Sequence, residues 1–159
     1  IREVILNKAF TEMGYMTELL LSASARAQLV KENIKPALDA GQAVIADRFV
    51  DSSAVYQGIG RGLGVDTVYD VNEFALQGIM PDMTFLMDLD AQEGIARKKN
   101  QAELDRMENE KMEFHQKVVD GYRMLADMHP ERIVKIDATL PIDEIHGIIV
   151  GYVEKKLNL

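Results

Sequence analysis

The chain has 159 residues, the size of a single domain, and 47% of them are hydrophobic, as expected for a protein with a packed core. The formal net charge of -8 argues against a nucleic-acid-binding protein, although a few arginines in a pocket suffice to hold a small phosphate ligand. The absence of cysteine excludes disulfides, thiolate metal sites and cysteine nucleophiles. No apolar run reaches the ~18–20 residues of a membrane span, so we expect a cytoplasmic protein that does not enter the membrane.

The first forty residues predict two helices. Residues 1–9 are typical of the end of a helix, and Gly14 follows as a break. A longer helical pattern runs from Met16 to Ala40, where apolar residues recur with a period of about 3.6. Pro36 is expected to bend or interrupt its last turns, and Gly41 is expected to end it.

The next segment is the principal candidate for a functional site. The apolar run from Ala43 to Ala46 predicts a short strand buried on both faces, as in a parallel sheet. Asp47 and Arg48 follow where the strand should end, and hydroxyl, phenol and amide side chains come soon after them. Because ligands of open α/β sheets bind at the carboxyl ends of the strands, these groups are well situated for a ligand. An ordinary ion pair at a strand end is the alternative interpretation of Asp47 and Arg48.

Glycines alternate from Gly58 to Gly64, but they do not directly follow a strand. A GxGxxG dinucleotide site is therefore disfavoured, and the pattern predicts a flexible loop that carries Arg61. Asp66 is expected to cap the following helix, which Pro81 ends.

The remaining chain predicts two more strands and three helices. Thr84–Asp90 is a buried strand, whose Asp90 is interpreted as the N-cap of a helix in preference to a metal ligand paired with Asp88. On charge alone, residues 97–106 are typical of a solvated basic loop. An amphipathic helix from Met107 to Met128 follows.

The third strand is Arg132–Asp137, and Pro141 marks the start of the last helix, whose buried side should carry Ile145, Ile148, Ile149, Val153 and Leu157. The three histidines lie on separate elements without ligand spacing and are interpreted as structural. The order of elements predicts an α/β protein with three parallel strands.

Short segments recur along the chain in an order and at a spacing typical of one enzyme family: Ile1-Arg2, Arg26-Ala27-Gln28-Leu29-Val30, Ile34-Lys35-Pro36-Ala37-Leu38, Asp47-Arg48-Phe49, Asp51-Ser52-Ser53, Tyr56-Gln57-Gly58, Arg61-Gly62, Pro81-Asp82, Glu103-Leu104-Asp105-Arg106 and Ile136-Asp137-Ala138. Each segment is weak alone, but together they are specific. The chain resembles the bacterial thymidylate kinases from its first residue to nearly its last.

The resemblance implies an α/β, P-loop NTPase fold of the nucleoside monophosphate kinase type, a parallel sheet flanked by helices. It implies one domain over residues 1–159 with a lid at about 97–106. No GxxxxGK[ST] phosphate-binding loop occurs in the 159 residues. We therefore expect the first two strands and this loop to precede Ile1, and the chain to be the C-terminal three-quarters of the domain and inactive alone.

By the same resemblance, the enzyme transfers the γ-phosphoryl group of ATP, with Mg²⁺, to dTMP and yields dTDP. Such chemistry requires mainly that two phosphates be positioned in line and neutralised. The resemblance also implies a homodimer formed through apolar helix faces, and neither a nucleic-acid nor a membrane partner.

The resemblance assigns roles in the acceptor site. Arg48 would grip the acceptor phosphate with its planar fork, and Asp47 would orient the acceptor or the water shell of Mg²⁺. Arg2 would also reach the nucleotide, and Arg26 would read the thymine edge. The remaining contacts would be hydrogen bonds to the base from Ser53 and Gln57, and packing of Tyr56 on the sugar where a ribose 2′-hydroxyl would clash.

The basic segment resembles the family's lid, in which Arg97, Lys99 and Arg106 would face ATP. Lid arginines stabilise the transferring phosphoryl group in the manner of an arginine finger. Lys99 and Gln101 stand where enterobacterial-type members have arginine. Lys99 keeps the charge without the bidentate fork, and Gln101 loses the charge.

Ser22 departs from the family pattern, because it stands four residues before Arg26, where the family has a phenylalanine that stacks on thymine. Such stacking is worth roughly 1–3 kcal/mol, so nucleotide affinity could fall about ten- to a hundredfold. Two alternatives stay open. One is a kinase for a different nucleotide or nucleoside, which Ser22 would permit; the other is a catalytically degenerate kinase-like module that serves in binding or assembly.

Overall fold

The computed structural model describes residues 1–99 and 105–158 of the chain. In chain order the elements are α1 (Arg2–Leu6), α2 (Tyr15–Leu29), the π-helical segment π1 (Val30–Ile34), α3 (Lys35–Asp39), α4 (Val50–Ser53), a second π-helical segment π2 (Ala54–Gly60), α5 (Val65–Leu76), β1 (Thr84–Asp88), α6 (Ala91–Lys99), α7 (Met112–Met128), β2 (Ile133–Asp137) and α8 (Ile142–Leu157). None of the described helices combines the length and the apolar character needed to span a membrane.

The long helix predicted before Gly41 is confirmed, since α2, π1 and α3 follow one another without a break. Pro36 lies in the first turn of α3. It lacks a backbone N–H, and its ring would crowd the carbonyl four residues earlier in a regular α-helix. The i→i+5 hydrogen bonds of π1 widen the turn before the proline, so the helix continues through it. Gly41, with φ of 73°, ends the helix as predicted.

Two of the predicted strands, β1 and β2, form a parallel sheet. Thr84 is in register with Ile133 at one end, and Asp88 with Asp137 at the other. Both strands therefore end on an aspartate at the same edge. Helices α6 and α7 connect the two strands, as a parallel pair requires.

The strand predicted at Ala43–Ala46 is wrong. These residues have no regular structure and are exposed, Ile45 to 98% of its surface. A strand is stable only when a neighbour satisfies its N–H and C=O groups. Within residues 1–99 and 105–158 the sheet consists of β1 and β2, and neither pairs with this segment.

The flexible loop predicted for the glycine-rich segment is also wrong at its start. Gly58 and Gly60 lie in π2, which continues α4. Glycine is required for close packing here, because a Cβ on Gly60 would lie 2.7 Å from the ring of Phe114 in α7. A Cβ on Gly121 of α7 would in turn lie 2.9 Å from Ile59. The segment is thus a packed helix, not a mobile connection.

Two helix starts differ from the prediction. Helix α5 begins at Val65 with Gly64 as its N-cap, so Asp66 lies in the first turn and does not cap it. Helix α7 begins at Met112 instead of Met107, because the Asp105 carboxylate accepts hydrogen bonds from the backbone N–H groups of Met107 (2.8 Å) and Glu108 (2.9 Å) and folds this stretch into a turn.

The hydrophobic core lies between α2, π2, α5 and α7, where Leu19, Val55, Val68 and Leu125 are fully buried. Helix α8 lies outside this core. It begins after Pro141 as predicted. Ile145, Ile148, Ile149 and Val153 of its predicted buried side are partly covered, but none of its residues is fully buried, and Leu157 is 50% exposed. Tyr152 makes an edge contact with Phe85 of β1, with ring centroids 6.1 Å apart.

Candidate active site

Two helical segments face each other through polar side chains. On α2, Glu18, Ser22 and Arg26 are spaced by four residues and share one face. On the facing segment, Ser53 and Gln57 are also four residues apart. Arg26 Nη2 donates to Ser53 Oγ (2.8 Å), and Gln57 Nε2 donates to Glu18 Oε1 (2.9 Å). The two contacts run in opposite chain directions, so α2 and the α4–π2 segment are antiparallel here.

Ser22 lies between these two contacts on α2, and it is partly exposed. Its small side chain leaves the space between Arg26 and Glu18 without the aromatic ring that the resemblance would place there. The helix therefore offers a hydroxyl, a guanidinium and a carboxylate along one face.

Arg26 is a buried cation with an incomplete set of partners. Its Nη1 donates to Asn72 Oδ1, and its Nη2 donates to the Phe49 carbonyl (3.2 Å) in addition to Ser53. The guanidinium lies 5.4 Å from the ring centroid of Phe49. Its Nε is buried and has no hydrogen-bond partner among the described residues. Burial lowers the pKa of Arg26 to about 10, although the nearby Asp51 carboxylate opposes this.

Arg48 stands at the turn before α4 in a left-handed conformation, with φ of 67°. Its guanidinium lies 5.2 Å from the ring centroid of Tyr56. Tyr56 in turn makes edge contacts with Phe114 and Tyr122, at centroid distances of 6.0 and 6.3 Å. Arg48 is therefore directed towards an aromatic cluster that π2 and α7 form together.

Glu18 is the centre of a buried ionic network that the sequence did not reveal. Its side chain is completely buried, and Arg106 Nη2 (2.5 Å) and Arg61 Nη2 (3.3 Å) pair with Oε2. Arg61 Nη1 also pairs with Glu110 (2.6 Å). Burial alone would raise the pKa of Glu18, but the hydrogen bonds from Gln57 and Arg106 and the charge of Arg61 together lower it. The carboxylate is therefore ionised at neutral pH.

A second network fixes α4 to the sheet. The buried carboxylate of Asp51 accepts two hydrogen bonds from Arg132, at 2.6 and 2.9 Å, and one from the hydroxyl of Thr84 at 3.0 Å. Tyr69 of α5 donates to the same carboxylate at 3.3 Å. The sequence motif contained Asp51 but gave no indication of this role.

The predicted site residues Arg2, Asp47 and Arg97 lie outside the cluster of Arg26, Arg48, Ser53, Tyr56 and Gln57. Asp47 is exposed beside Arg48, and Arg2 is exposed on α1. Arg97 Nη1 donates to the carbonyl of Ala138 (3.0 Å), just beyond the end of β2. The side chain of Lys99 and residues 100–104, with Gln101, lie outside the described part of the chain.

Arg106 holds α1 in place, because its Nε donates to the Ile5 carbonyl (2.8 Å) while its Nη2 pairs with Glu18. Its predicted contact with ATP stays a prediction. Asp88 and Asp90 both pair with Arg123. Across residues 1–99 and 105–158, no group of three or more His, Asp or Glu side chains is placed to hold a metal ion.

The comparison with protein families identifies the class. A family model described as "Thymidylate kinase" matches residues 1–149. The chain belongs to the thymidylate kinase family. The family implies the α/β fold of P-loop NTPases, which the helix-rich structure with its parallel sheet matches.

The curated relatives agree. The chain is 48% identical to a thymidylate kinase of Geobacillus thermodenitrificans (strain NG80-2), over 99% of this chain and 71% of the relative. It is 43% identical to one of Clostridium novyi (strain NT), over 97% and 76%. It is 44% identical to one of Lactobacillus helveticus (strain DPC 4571), over 99% and 75%.

Proposed function

We propose that this protein binds dTMP in the space between α2 and α4–π2 and transfers to it the γ-phosphoryl group of ATP, forming dTDP. The observation that carries the proposal is the buried Arg26 guanidinium, whose Nε has no acceptor among the described residues. An unpaired buried donor is costly, so a ligand that supplies an acceptor would gain from meeting it. The relatives, which are thymidylate kinases, support dTMP as that ligand.

The chemistry of the three polar side chains suits a thymine. Its Watson–Crick edge presents two carbonyl acceptors flanking one N–H donor. Arg26 offers donors to a carbonyl, and Gln57 and Ser53 offer both donors and acceptors. Ser22 contributes no ring, so hydrogen bonding would carry more of the base recognition than stacking.

Arg48 is proposed to bind the acceptor phosphate. Phe49 follows Arg48 in the chain, and its carbonyl accepts a hydrogen bond from Arg26. Phe49 therefore lies between Arg48 and the base-binding residue Arg26. Tyr56 lies beneath the Arg48 guanidinium, so a sugar packed on Tyr56 would join a base near Arg26 to a phosphate near Arg48. A planar guanidinium can contact two phosphate oxygens at once, which fixes the direction of the acceptor.

The donor side of the reaction is proposed from fewer residues. ATP with Mg²⁺ supplies the phosphoryl group and neutralises its charge during transfer. Asp47 is an exposed single carboxylate, which fits a Mg²⁺ ion that keeps most of its water and phosphate ligands. Arg97, on α6 and hydrogen-bonded just beyond the end of β2, and Lys99 and Arg106, on either side of residues 100–104, would contribute the charges of the lid. Arg2 would approach the nucleotide from α1. We also propose that the protein acts as a homodimer in the cytoplasm.

The test is a substrate panel with the full-length protein. dTMP, dUMP, dCMP and thymidine are offered with ATP and Mg²⁺, and diphosphate and monophosphate products are separated by chromatography. Preferred phosphorylation of dTMP is expected. Preference for another nucleotide, or for thymidine, would replace dTMP with that acceptor, an outcome that Ser22 permits. No product with any acceptor, despite dTMP binding in calorimetry, would favour a binding module without catalysis.

A further inference from the structure

The buried carboxylate of Glu18 contacts two kinds of residue: the arginines of the ionic network, and Gln57, which is assigned to base recognition. Its Oε1 accepts from Gln57 Nε2 at 2.9 Å and more distantly from Arg61 Nε at 3.4 Å, and its Oε2 accepts from the Nη2 groups of Arg106 and Arg61. The Glu18 side chain is fully buried and Gln57 is 5% exposed. The proposed roles of the binding site do not require Glu18 itself to touch a nucleotide.

An ionised carboxylate has acceptors and no donor, so it can hold only the NH₂ side of a glutamine amide. The contact with Glu18 therefore decides which way the Gln57 amide is turned. Gln57 Oε1 makes no hydrogen bond within the described part of the chain, and it is the atom left to meet a ligand. A Gln57 that presents Oε1 offers an acceptor to the base.

We propose that Glu18 is a positioning residue that sets base selectivity, by holding Gln57 so that its Oε1 accepts from the N3–H group of a thymine. The inference rests on the proposed function, since it assumes that Gln57 contacts the base. Cytosine carries an acceptor at N3 in place of the N–H donor, so the same orientation of Gln57 would repel it. The discrimination thus comes from the fixed direction of one amide.

Arg61 and Arg106 determine how the side chains would rearrange if Glu18 were substituted. If Glu18 is changed to glutamine, the position of Oε2 faces the Nη2 donors of both Arg61 and Arg106, so the oxygen of the new amide takes that position. Its NH₂ group then points at Gln57, which has to rotate to accept with Oε1. The base would meet the Nε2 donor of Gln57, which suits cytosine better than thymine.

The experiment compares kcat/KM for dTMP and dCMP in the full-length protein. Glu18→Gln is expected to lower the ratio of dTMP to dCMP by about tenfold or more, the effect of exchanging one good hydrogen bond for a repulsive contact. The change should appear in KM for the nucleoside monophosphate, while KM for ATP stays within about twofold. Glu110→Gln is the matched control, because it removes a carboxylate that pairs with Arg61 but does not touch Gln57; its ratio should stay at the wild-type value.

A double-mutant cycle with Gln57→Leu shows whether Glu18 acts through Gln57. Glu18→Gln should have no further effect on the ratio once the Gln57 amide is gone. If Glu18→Gln does not fold, Glu18→Asp serves instead: it keeps the charge for the arginines but withdraws from Gln57, so the ratio should fall towards that of Gln57→Leu without inverting.

Three results would overturn the inference alone: an unchanged ratio in the Glu18 variants, an equal fall in Glu110→Gln, or a persisting effect in the Gln57→Leu background. A wild-type protein that shows no preference for dTMP would instead refute the proposed function.

Discussion

Arg48 is held in a backbone conformation that an arginine rarely adopts, with φ of 67°. A non-glycine residue in the left-handed region costs roughly 1–2 kcal/mol. Such strain persists when the side chain has a task that requires it, and the contact with Tyr56 shows the direction in which the side chain is aimed. We expect Arg48→Ala and Arg48→Gly to lower kcat/KM for dTMP by about a hundredfold or more, as expected for loss of a charged phosphate contact. Lys135→Ala, which removes an exposed charge on β2, is the control for net charge.

Arg48→Ala and Arg48→Gly also test whether the backbone at position 48 is strained. Glycine normally destabilises a chain by roughly 0.5–1 kcal/mol relative to alanine, because it loses more backbone entropy on folding. At position 48 the order should reverse, with the glycine variant up to about 1 kcal/mol more stable, since only glycine adopts this φ freely. Urea unfolding of both variants measures the difference. An alanine variant that is the more stable of the two would show that Arg48 is not strained.

Glu18 also predicts how stability depends on pH. Its pKa is lowered in the folded protein, so its contribution is fully present above the pKa of the unfolded chain, about 4.3, and is lost as the pH falls through the folded value. Glu18→Gln should therefore be less stable than wild type at pH 7, and the gap should narrow below about pH 4.3. Denaturant midpoints measured from pH 7 to pH 3 test this. Glu131→Gln, at an exposed carboxylate, should differ only slightly from wild type in stability, and this difference should change little between pH 7 and pH 3.

At the scale of elements, the sequence predicted a strand correctly where the described residues provide a strand for it to pair with. Strands β1 and β2 were predicted from their apolar runs, and in the structure each pairs with the other across a crossover of two helices. The run at Ala43–Ala46 is also apolar, but its burial depends on a neighbour that the described residues do not provide. Composition alone cannot distinguish these two cases. The segment π2 was missed because its glycines suggested mobility, whereas they permit contact with α7.

The Asp51–Arg132 pair explains how α4 keeps its position beside this small sheet. Both side chains are largely buried, and two parallel hydrogen bonds join them. Because removal of one partner leaves a buried charge unpaired, Arg132→Met should destabilise the protein by about 3–5 kcal/mol. Thermal or denaturant unfolding measures the loss. Asp51→Leu combined with Arg132→Met should be less destabilising than the sum of the two single variants, and strict additivity would contradict the coupling.

At the scale of the whole molecule, the candidate site divides into a part that could be predicted and a part that could not. Arg26, Arg48, Ser53, Tyr56 and Gln57 belong to short motifs, and the structure brings them together. The residues that fix them in place come from distant segments. Gln57 is 39 residues from Glu18, and Asp51 is 81 residues from Arg132. Many charged pairs are possible at such separations, and only the packing of the helices selects among them.

The exposed surface of two adjacent helices bears on the proposed homodimer. Helices α2 and α5 pack against each other, and each leaves large apolar residues uncovered. On α2, Met16 and Leu20 are one turn apart and 42% and 50% exposed, and on α5 Phe74 is 87% exposed. Large exposed apolar side chains on neighbouring helices are a candidate for a protein–protein interface, and we expect these three to contribute to one.

Phe74→Lys should therefore shift the full-length protein from dimer to monomer, because it would place a charge within an apolar interface. Sedimentation velocity at several concentrations measures the change. Ile142→Lys is the matched control, since Ile142 is 85% exposed at the start of α8, outside the α2–α5 surface. It should leave the dimer intact. If Phe74→Lys remains dimeric, or if the wild-type protein sediments as a monomer, the interface does not involve this face. A monomer produced by both variants would instead indicate that any added charge is sufficient, because the effect would then not be specific to α5.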